Sequence, residues 1–225
     1  MSLPCCIQPL ARSLSTSKKA AVVTIIMKNY LHIKHKYVPK SKAPSENEIH
    51  LLQEFLTTNN KVVFLTGAGL STESGIPDYR SEEVGLYARK NYKPMQYQDF
   101  ISSSKIRQRY WARSFVGWPG YKKIQPSYNH HILANWELTG SVVHWLITQN
   151  VDHLHFTAGS RRLTELHGNL HETSCLTCKN IISRDDYQTQ IEQLNSSWSV
   201  DTFEVATDGD VFLTDDQLTG FQVGF

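Results

Sequence analysis

Apolar and polar positions alternate along the chain in a way that separates helices from strands. Ser45 opens the first regular segment with the capping pattern Ser-x-x-Glu, Glu48 standing three residues on. Ile49, Leu52, Phe55 and Leu56 follow at helical spacing, and Asn59-Asn60 ends the run. Lys61-Val-Val-Phe-Leu-Thr66 is short, apolar and β-branched, and reads as a buried parallel strand. From Arg80 to Trp118 the pattern turns helical and ring-rich, with Tyr87, Tyr92, Phe100, Tyr110, Trp111, Phe115 and Trp118. Those rings predict a small subdomain packed by aromatic contacts. A helix over 132–137, a second buried strand over 142–148 and a short third strand over 162–166 come next. The spacing then predicts a helix over 181–194 and a loop over 195–209, with a turn at Asp208-Gly209-Asp210.

Strand–helix–strand alternation implies parallel pairing, so the fold class is α/β with a Rossmann-like parallel sheet. The length of 225 residues suits one substantial domain, alone or with a small module, and 40% apolar content suits a packed core. A net charge of +2 gives no field that would draw nucleic acid. The basic residues concentrate early: Arg12, Lys18, Lys19, Lys28, Lys34, Lys36, Lys40 and Lys42 all precede the first acid, Glu46. An acid-free, basic, Ser-containing start over 1–44 reads as a mitochondrial presequence or a disordered basic tail, leaving 45–225 to fold. The apolar run 20–27 is too short to span a bilayer, and no membrane association is expected. Cys5 and Cys6 fall in the leader, so only Cys175 and Cys178 remain downstream, which is no disulfide framework.

The candidate chemistry sits where strands end. The first strand runs directly into Gly67-Ala-Gly-Leu-Ser-Thr-Glu-Ser-Gly-Ile-Pro-Asp-Tyr-Arg80. A small-residue turn there presents backbone N–H groups to phosphate, and glycine allows close approach or a positive φ. An ordinary dinucleotide fingerprint needs a third glycine at position 72, which is Thr72. Ser71 and Thr72 are candidates either to contact phosphate or to cap the loop helix. Pro77 stiffens the loop through its fixed φ. Gln149, Asn150 and Asp152 end the second strand and offer amide and carboxylate groups for a carboxamide and ribose hydroxyls; Asp152 is equally able to cap the next helix. His167 ends the third strand, as a base that titrates near neutrality or as a satisfied structural histidine. His130 reads as structural. Cys175-Leu-Thr-Cys178 has zinc-ligand spacing, although structural zinc wants four ligands and the thiols could stay free. His167 and His171 are further candidate ligands.

Taken together these motifs resemble the sirtuins, the NAD-dependent protein deacylases. Gly-Ala-Gly-x-Ser with Gly75-Ile-Pro-Asp-Tyr-Arg80 is similar to their NAD signature, and Leu146-Ile-Thr-Gln-Asn-Val-Asp-His-Leu-His155 to their T-Q-N-x-D-x-L-H box. Leu163-Thr-Glu-Leu-His-Gly168 is similar to the segment carrying their catalytic histidine, and the cysteine pair to half of their zinc site. Gly75-Ile-Pro-Asp-Tyr-Arg-Ser-Glu82, Ile106-Arg-Gln-Arg-Tyr-Trp-Ala-Arg113 and Ala158-Gly-Ser-Arg-Arg-Leu163 point toward the mitochondrial sirtuin-4 branch. The family usually shows Pro-Asn-x-x-His where Pro126-Ser-Tyr-Asn-His130 stands, so Ser127 replaces the Asn.

The resemblance implies a definite chemistry. The acyl-lysine amide oxygen displaces nicotinamide from NAD, a histidine activates a ribose hydroxyl that attacks the imidate, and the acyl group leaves on ADP-ribose. It implies His167 as catalytic base. Gly67, Ala68, Gly69, Ser71, Thr72, Gly75, Ile76, Pro77, Asp78, Tyr79, Arg80, Gln149, Asn150, Val151 and Asp152 would bind the co-substrate, and Cys175 and Cys178 would bind zinc in a module over 171–225. Lipoamidase and ADP-ribosyltransferase activity, acyl-lysine proteins as partners and a mitochondrial matrix location come with the same resemblance. Arg89, Lys90 or Arg113 would meet an acidic acyl group, or form a solvated basic face.

A complete sirtuin continues with a second cysteine pair, a strand with a Gly-Ser-Ser loop and the rest of the adenosine site. None follows Gly220-Phe-Gln-Val-Gly-Phe225. The expectation is therefore a sheet and zinc module incomplete at the C-terminus, with a hydrophobic edge and an open core. A second reading is a truncated, non-catalytic form that is unstable or acts only through partner binding. An ordinary oxidoreductase is disfavoured by Thr72 and by the Gln-Asn-x-Asp box.

Overall fold

A computed structural model describes residues 37–88, 95–140, 142–200, 211 and 213–223. The leader before Tyr37, the basic pair Arg89 and Lys90, and the turn at Asp208-Gly209-Asp210 lie outside them.

Helix α1 (Glu46–Thr58) starts at the capping box read from the sequence: the Ser45 hydroxyl accepts from the Glu48 N–H, and the Glu48 carboxylate accepts from the Ser45 N–H. Strand β1 (Val62–Thr66) follows. Helices α2 (Tyr97–Ser102), α3 (Ser104–Tyr121) and α4 (Tyr128–Leu138) precede β2 (Val143–Thr148), and the single turn α5 (Leu154–Thr157) precedes β3 (Leu163–Glu165). The three strands pair in parallel in the order β1-β2-β3, with Thr66 opposite Thr148 and Thr148 opposite Glu165. All three therefore end level with one another, and the loops after them share one edge of the sheet. That edge is where open α/β sheets gather ligands.

Helix α4 covers one face of the sheet. Leu133 and Trp136 meet Val62, Val143 and Leu146, and Leu56 of α1 joins the same core. Its start is fixed by Ser127, whose hydroxyl and backbone N–H both meet His130 Nδ1, at 2.8 and 3.1 Å. The helix thus begins several residues earlier than the hydrophobic pattern indicates, because polar Tyr128 to His131 carry its first turn. On the opposite face Val63, Leu65 and Trp145 are 53%, 65% and 40% exposed. Parallel sheets are normally covered on both faces, and among the described residues this face stays open.

After β3 the chain forms an antiparallel hairpin, β4 (Glu172–Ser174) with β5 (Ile181–Ser183), and then helix α6 (Arg184–Leu194). The helix expected over 181–194 thus loses its first three residues to a strand. Ile181 and Ile182 are β-branched and pair with Ser174 and Thr173, while Ser183 caps α6 by accepting from the Asp186 N–H. Of the rings expected to pack a small subdomain, Trp111 and Phe115 join Ala112, Ile191, Leu218 and Phe221 with Tyr187 and Trp198 from farther along the chain; Trp118 packs instead with Ile76, Tyr121 and Leu154, Tyr87 meets Tyr79, and Tyr92 lies outside the described residues. Asn195 fastens the terminal segment by donating to the Gln222 carbonyl and accepting from its N–H.

Candidate functional site

Three loops leave the three strands, and a network of short polar contacts binds them together. The first, after Gly67, is a 3-10 helix (Ala68–Ser74) with Gly67 at its N-cap. Ser71 and Thr72 lie inside this helix, so neither caps it, contrary to one sequence expectation. The Ser71 hydroxyl is fully buried; it donates to Asp152 Oδ2 at 2.6 Å and accepts from Asn150 Nδ2 at 3.0 Å. Asn150 Nδ2 also reaches the Gly67 carbonyl at 3.1 Å. Asp152 Oδ1 accepts from the Leu154 N–H at 2.9 Å, so this carboxylate both starts α5 and holds the glycine loop. Asn150 and Asp152 are thus committed to fixing the loop from the second strand.

Of the three glycines of this first loop, Gly67, Gly69 and Gly75, it is Gly75 that needs its special backbone: its φ is 91°. Gly67 is extended, and a Cβ on Gly67 or Gly69 would meet nothing within 4 Å. Their bare backbone leaves open space beside the loop. Asp78 is occupied locally, accepting from the Ser81 N–H at 3.0 Å and from its hydroxyl. Tyr79 and Asp78 bond through their carbonyls to the N–H groups of Tyr87 and Leu86. Gly85 makes that return possible, since a Cβ there would sit 2.6 Å from the Ser81 nitrogen. The sequence reading passed over Gly85. Arg80 is exposed.

His167 stands on the third loop. Its Nδ1 lies 3.0 Å from the Gln149 carbonyl. A carbonyl only accepts, so Nδ1 carries the proton and Nε2 keeps the lone pair of a base. A second tie holds this loop to the Asp152 loop. Glu165 Oε1 meets His153 Nδ1 at 2.8 Å while its Oε2 accepts from Asn169 Nδ2 at 3.0 Å. His153 adopts a left-handed φ of 62° to make that contact. Neither His153 nor Glu165 was singled out from sequence; an acid two residues before His167 and a histidine after Asp152 were the available signals.

The loops enclose a cavity of about 300 Å³ lined by Ala68, Ser71, Ile76, Tyr79, Gln149, Asn150, Val151, Asp152 and His167. This lies at the small end of ligand-site volumes. All nine were candidate site residues in the sequence. Gly67, Gly69, Thr72, Gly75, Pro77 and Asp78 shape the loop behind it and do not line it.

The comparisons with known proteins agree with this geometry. The Sir2 family model matches residues 67–219. This chain belongs to the Sir2 family. The bovine protein named NAD-dependent protein lipoamidase sirtuin-4, mitochondrial, is 51% identical over 187 residues, which cover 83% of this chain and 59% of that protein. The human protein of the same name is 50% identical with the same coverage, and the Drosophila melanogaster NAD-dependent protein deacylase Sirt4 is 45% identical over 84% of this chain and 61% of its own. The chain thus spans about three fifths of the length of these curated relatives. Among solved structures, one described as Sir2 with a p53 peptide and NAD+ is 32% identical with a TM-score of 0.53, over 63% of this chain and 55% of that one. Another, concerned with the mechanism and regulation of Sir2 enzymes, is 30% identical with a TM-score of 0.53, over 74% and 63%. The fold is that of a sirtuin's Rossmann-like layer.

As a sirtuin, the chain carries its cysteine pair at the tip of the β4–β5 hairpin. Cys175 closes the turn by accepting from the Lys179 N–H and donating to the Asn180 carbonyl, and Lys179 takes a φ of 62°. Backbone N–H groups of Cys178 and Thr177 and the Cys178 side chain lower the Cys175 thiol below its ordinary value, favouring the thiolate that metals bind. Both thiols are exposed. A structural zinc takes four ligands. Among the described residues no group of three or more ligating side chains comes together. His171 is no third ligand: its ring lies 5.0 Å from both Trp118 and His153, half-buried, with burial holding its pKa down. His130 is structural, as read, with no exposed surface. Arg113 donates to the Val211 carbonyl.

Proposed function

We propose that the chain is the nicotinamide-side part of an NAD-dependent protein-lysine deacylase, with His167 as catalytic base. The observation that carries this reading is one cavity lined together by His167, by Gln149 to Asp152 and by Ala68 and Ser71 of the glycine loop. In the reaction, NAD is co-substrate and its nicotinamide ribose would occupy that cavity. The acyl-lysine oxygen displaces nicotinamide, His167 accepts the proton of a ribose hydroxyl, and the hydroxyl oxygen takes the acyl carbon. A water molecule then adds to that carbon and the lysine amine leaves, so NAD, acyl-lysine and water give nicotinamide, free lysine and acyl-ADP-ribose. The side chains of Asn150, Ser71 and Asp152 keep the glycine loop at a fixed height above the second strand, so the base and the sugar are held in register. Their effect belongs to pre-organisation.

The site residues in this reading are those of the sequence analysis: Gly67 to Arg80 and Gln149 to Asp152 around NAD, with Cys175 and Cys178 as half of a zinc site. The two thiols fit zinc in type and spacing, and zinc would fix the hairpin without entering the chemistry. The names of the relatives support lipoamide and other acyl-lysine groups as cargo and a mitochondrial location; a matrix location for the substrates is part of the proposal. ADP-ribosyl transfer would use the same nicotinamide cleavage with a different acceptor. The test is product identity. Mass spectrometry of a reaction with NAD and lipoyl- or acyl-lysine peptide should find the acyl group on ADP-ribose. Acyl release as free acid, with NAD intact, would contradict the reading.

A further inference from the structure

His167 is exposed, and among the described residues its ring makes one hydrogen bond, from Nδ1 to the Gln149 carbonyl. A ring held so lightly takes its direction from the loop that carries it. That loop is closed across His167 by a side-chain bond. Asn169 Nδ2 donates to Glu165 Oε2 at 3.0 Å, so the residues two before and two after the histidine are clasped together. The Asn169 amide is fixed in turn, since its Oδ1 accepts from the His171 N–H at 2.9 Å. The other oxygen of Glu165 meets His153 Nδ1 at 2.8 Å. A carboxylate only accepts, so both partners donate and the carboxylate is filled from two sides. The two side chains of this second bond are largely withdrawn from water, at 21% exposure for His153 and 15% for Glu165.

His153 makes its contact from a left-handed backbone, with φ 62° and ψ 13°. A residue with a Cβ adopts that conformation at a cost, and such strain persists where the surroundings hold it. Glycine would sit there freely. The position carries instead a ring that stacks on Phe156, 4.5 Å away at 25°, and lies 5.0 Å from His171. His153 also adjoins Asp152, whose carboxylate accepts from Ser71. One dipeptide thus holds the glycine loop by its carboxylate and the His167 loop by its ring. Neither His153 nor Glu165 lines the cavity, so an effect of either on the reaction passes through the loops they tie. We propose that Glu165 and His153 are positioning residues for the base: the Glu165 carboxylate clasps the loop that presents His167, and the His153 ring holds that carboxylate in place. The proposal rests on the reading of His167 as base.

The test is the tautomer of the His167 ring, read by nitrogen NMR of the whole chain at about pH 8.5, where an ordinary histidine is neutral. The His167 signals are identified by their absence in His167→Gln. The clasp keeps Nδ1 on the Gln149 carbonyl, so the unaltered chain should show the Nδ1–H form. Glu165→Gln keeps the shape but offers one acceptor oxygen to two donors, so one of the two bonds is lost. His153→Gly removes the ring and relieves the backbone. Both should turn the His167 signals into a mixture of the two tautomers while urea unfolding stays cooperative. If Glu165→Gln does not fold, His153→Gly carries the test alone. In the reaction the same variants should slow acyl-ADP-ribose formation at saturating NAD at least about tenfold and change the KM for NAD by less than about threefold. A mixture already present in the unaltered chain, or an Nδ1–H form that both variants keep, would overturn the proposal and leave the base reading standing. So would a rise in KM with kcat untouched. Product formation that survives His167→Ala would instead overturn the base reading, and the proposal with it.

Discussion

At the scale of single residues, the site rests on a few side chains with two partners each. The Ser71 hydroxyl has one proton and gives it to Asp152, while Asn150 fills its lone pair. Ser71→Ala removes both contacts and leaves a buried carboxylate and amide short of a partner. It should cost about 1–3 kcal/mol in urea unfolding. The glycines separate by mechanism. Gly75 sits at φ 91°, so Gly75→Ala should destabilise by about 1 kcal/mol or more, whereas Gly67→Ala meets nothing within 4 Å and should leave stability nearly unchanged. Gly67→Ala should instead weaken NAD binding, which equilibrium titration would read. Glycine was legible in the sequence as a requirement of the loop, but not which glycine answered to backbone strain and which to open space. The same holds for His153 and Glu165: their bond spans 12 residues and needs a left-handed backbone that no spacing rule announces.

At the scale of elements, two buried histidines set the acid limit of the fold. His130 at the start of α4 and His155 in α5 have ring centres 4.8 Å apart, and burial lowers each from 6.5 to about 4. Folded, both stay neutral down to about pH 4; unfolded, both take protons below about pH 6.5. The unfolded chain therefore binds more protons in that window. Stability is complete above pH 6.5, falls as pH drops toward 4, and levels below it. The upper limit is about 3 kcal/mol for each histidine. Urea midpoints should be lower at pH 4.5 than at pH 7.5, and His130→Gln should shrink the difference. Elements with a clear period were read well: the Ser45 box, β1, β2 and β3 all stand where hydrophobic spacing puts them. The β5 strand was missed because Ile181-Ile-Ser runs into a helical pattern, and only its partner across the cysteine turn decides for strand.

At the scale of the molecule, one face of the sheet is a core and the other is open. Leu146 is fully buried among Val62, Leu133 and Trp136, so Leu146→Ala should cost about 2–5 kcal/mol. Leu65, on the opposite face and 65% exposed, should change stability by less than about 0.5 kcal/mol when replaced by Ser, and should raise solubility. Parallel strands predicted the need for two covers, and the described residues supply one. The Sir2 family explains the layer and the loop order, while the chain's reach of about three fifths of its relatives leaves activity to be measured on the chain itself. The central claim is that His167 Nε2 works as a base over the cavity of the glycine loop. The most direct measurement is formation of acyl-ADP-ribose from NAD and an acyl-lysine peptide by the purified chain, compared with His167→Ala. The account predicts product formation that falls at least about 100-fold in the variant while its urea midpoint holds. Product formed equally fast by the variant would contradict it.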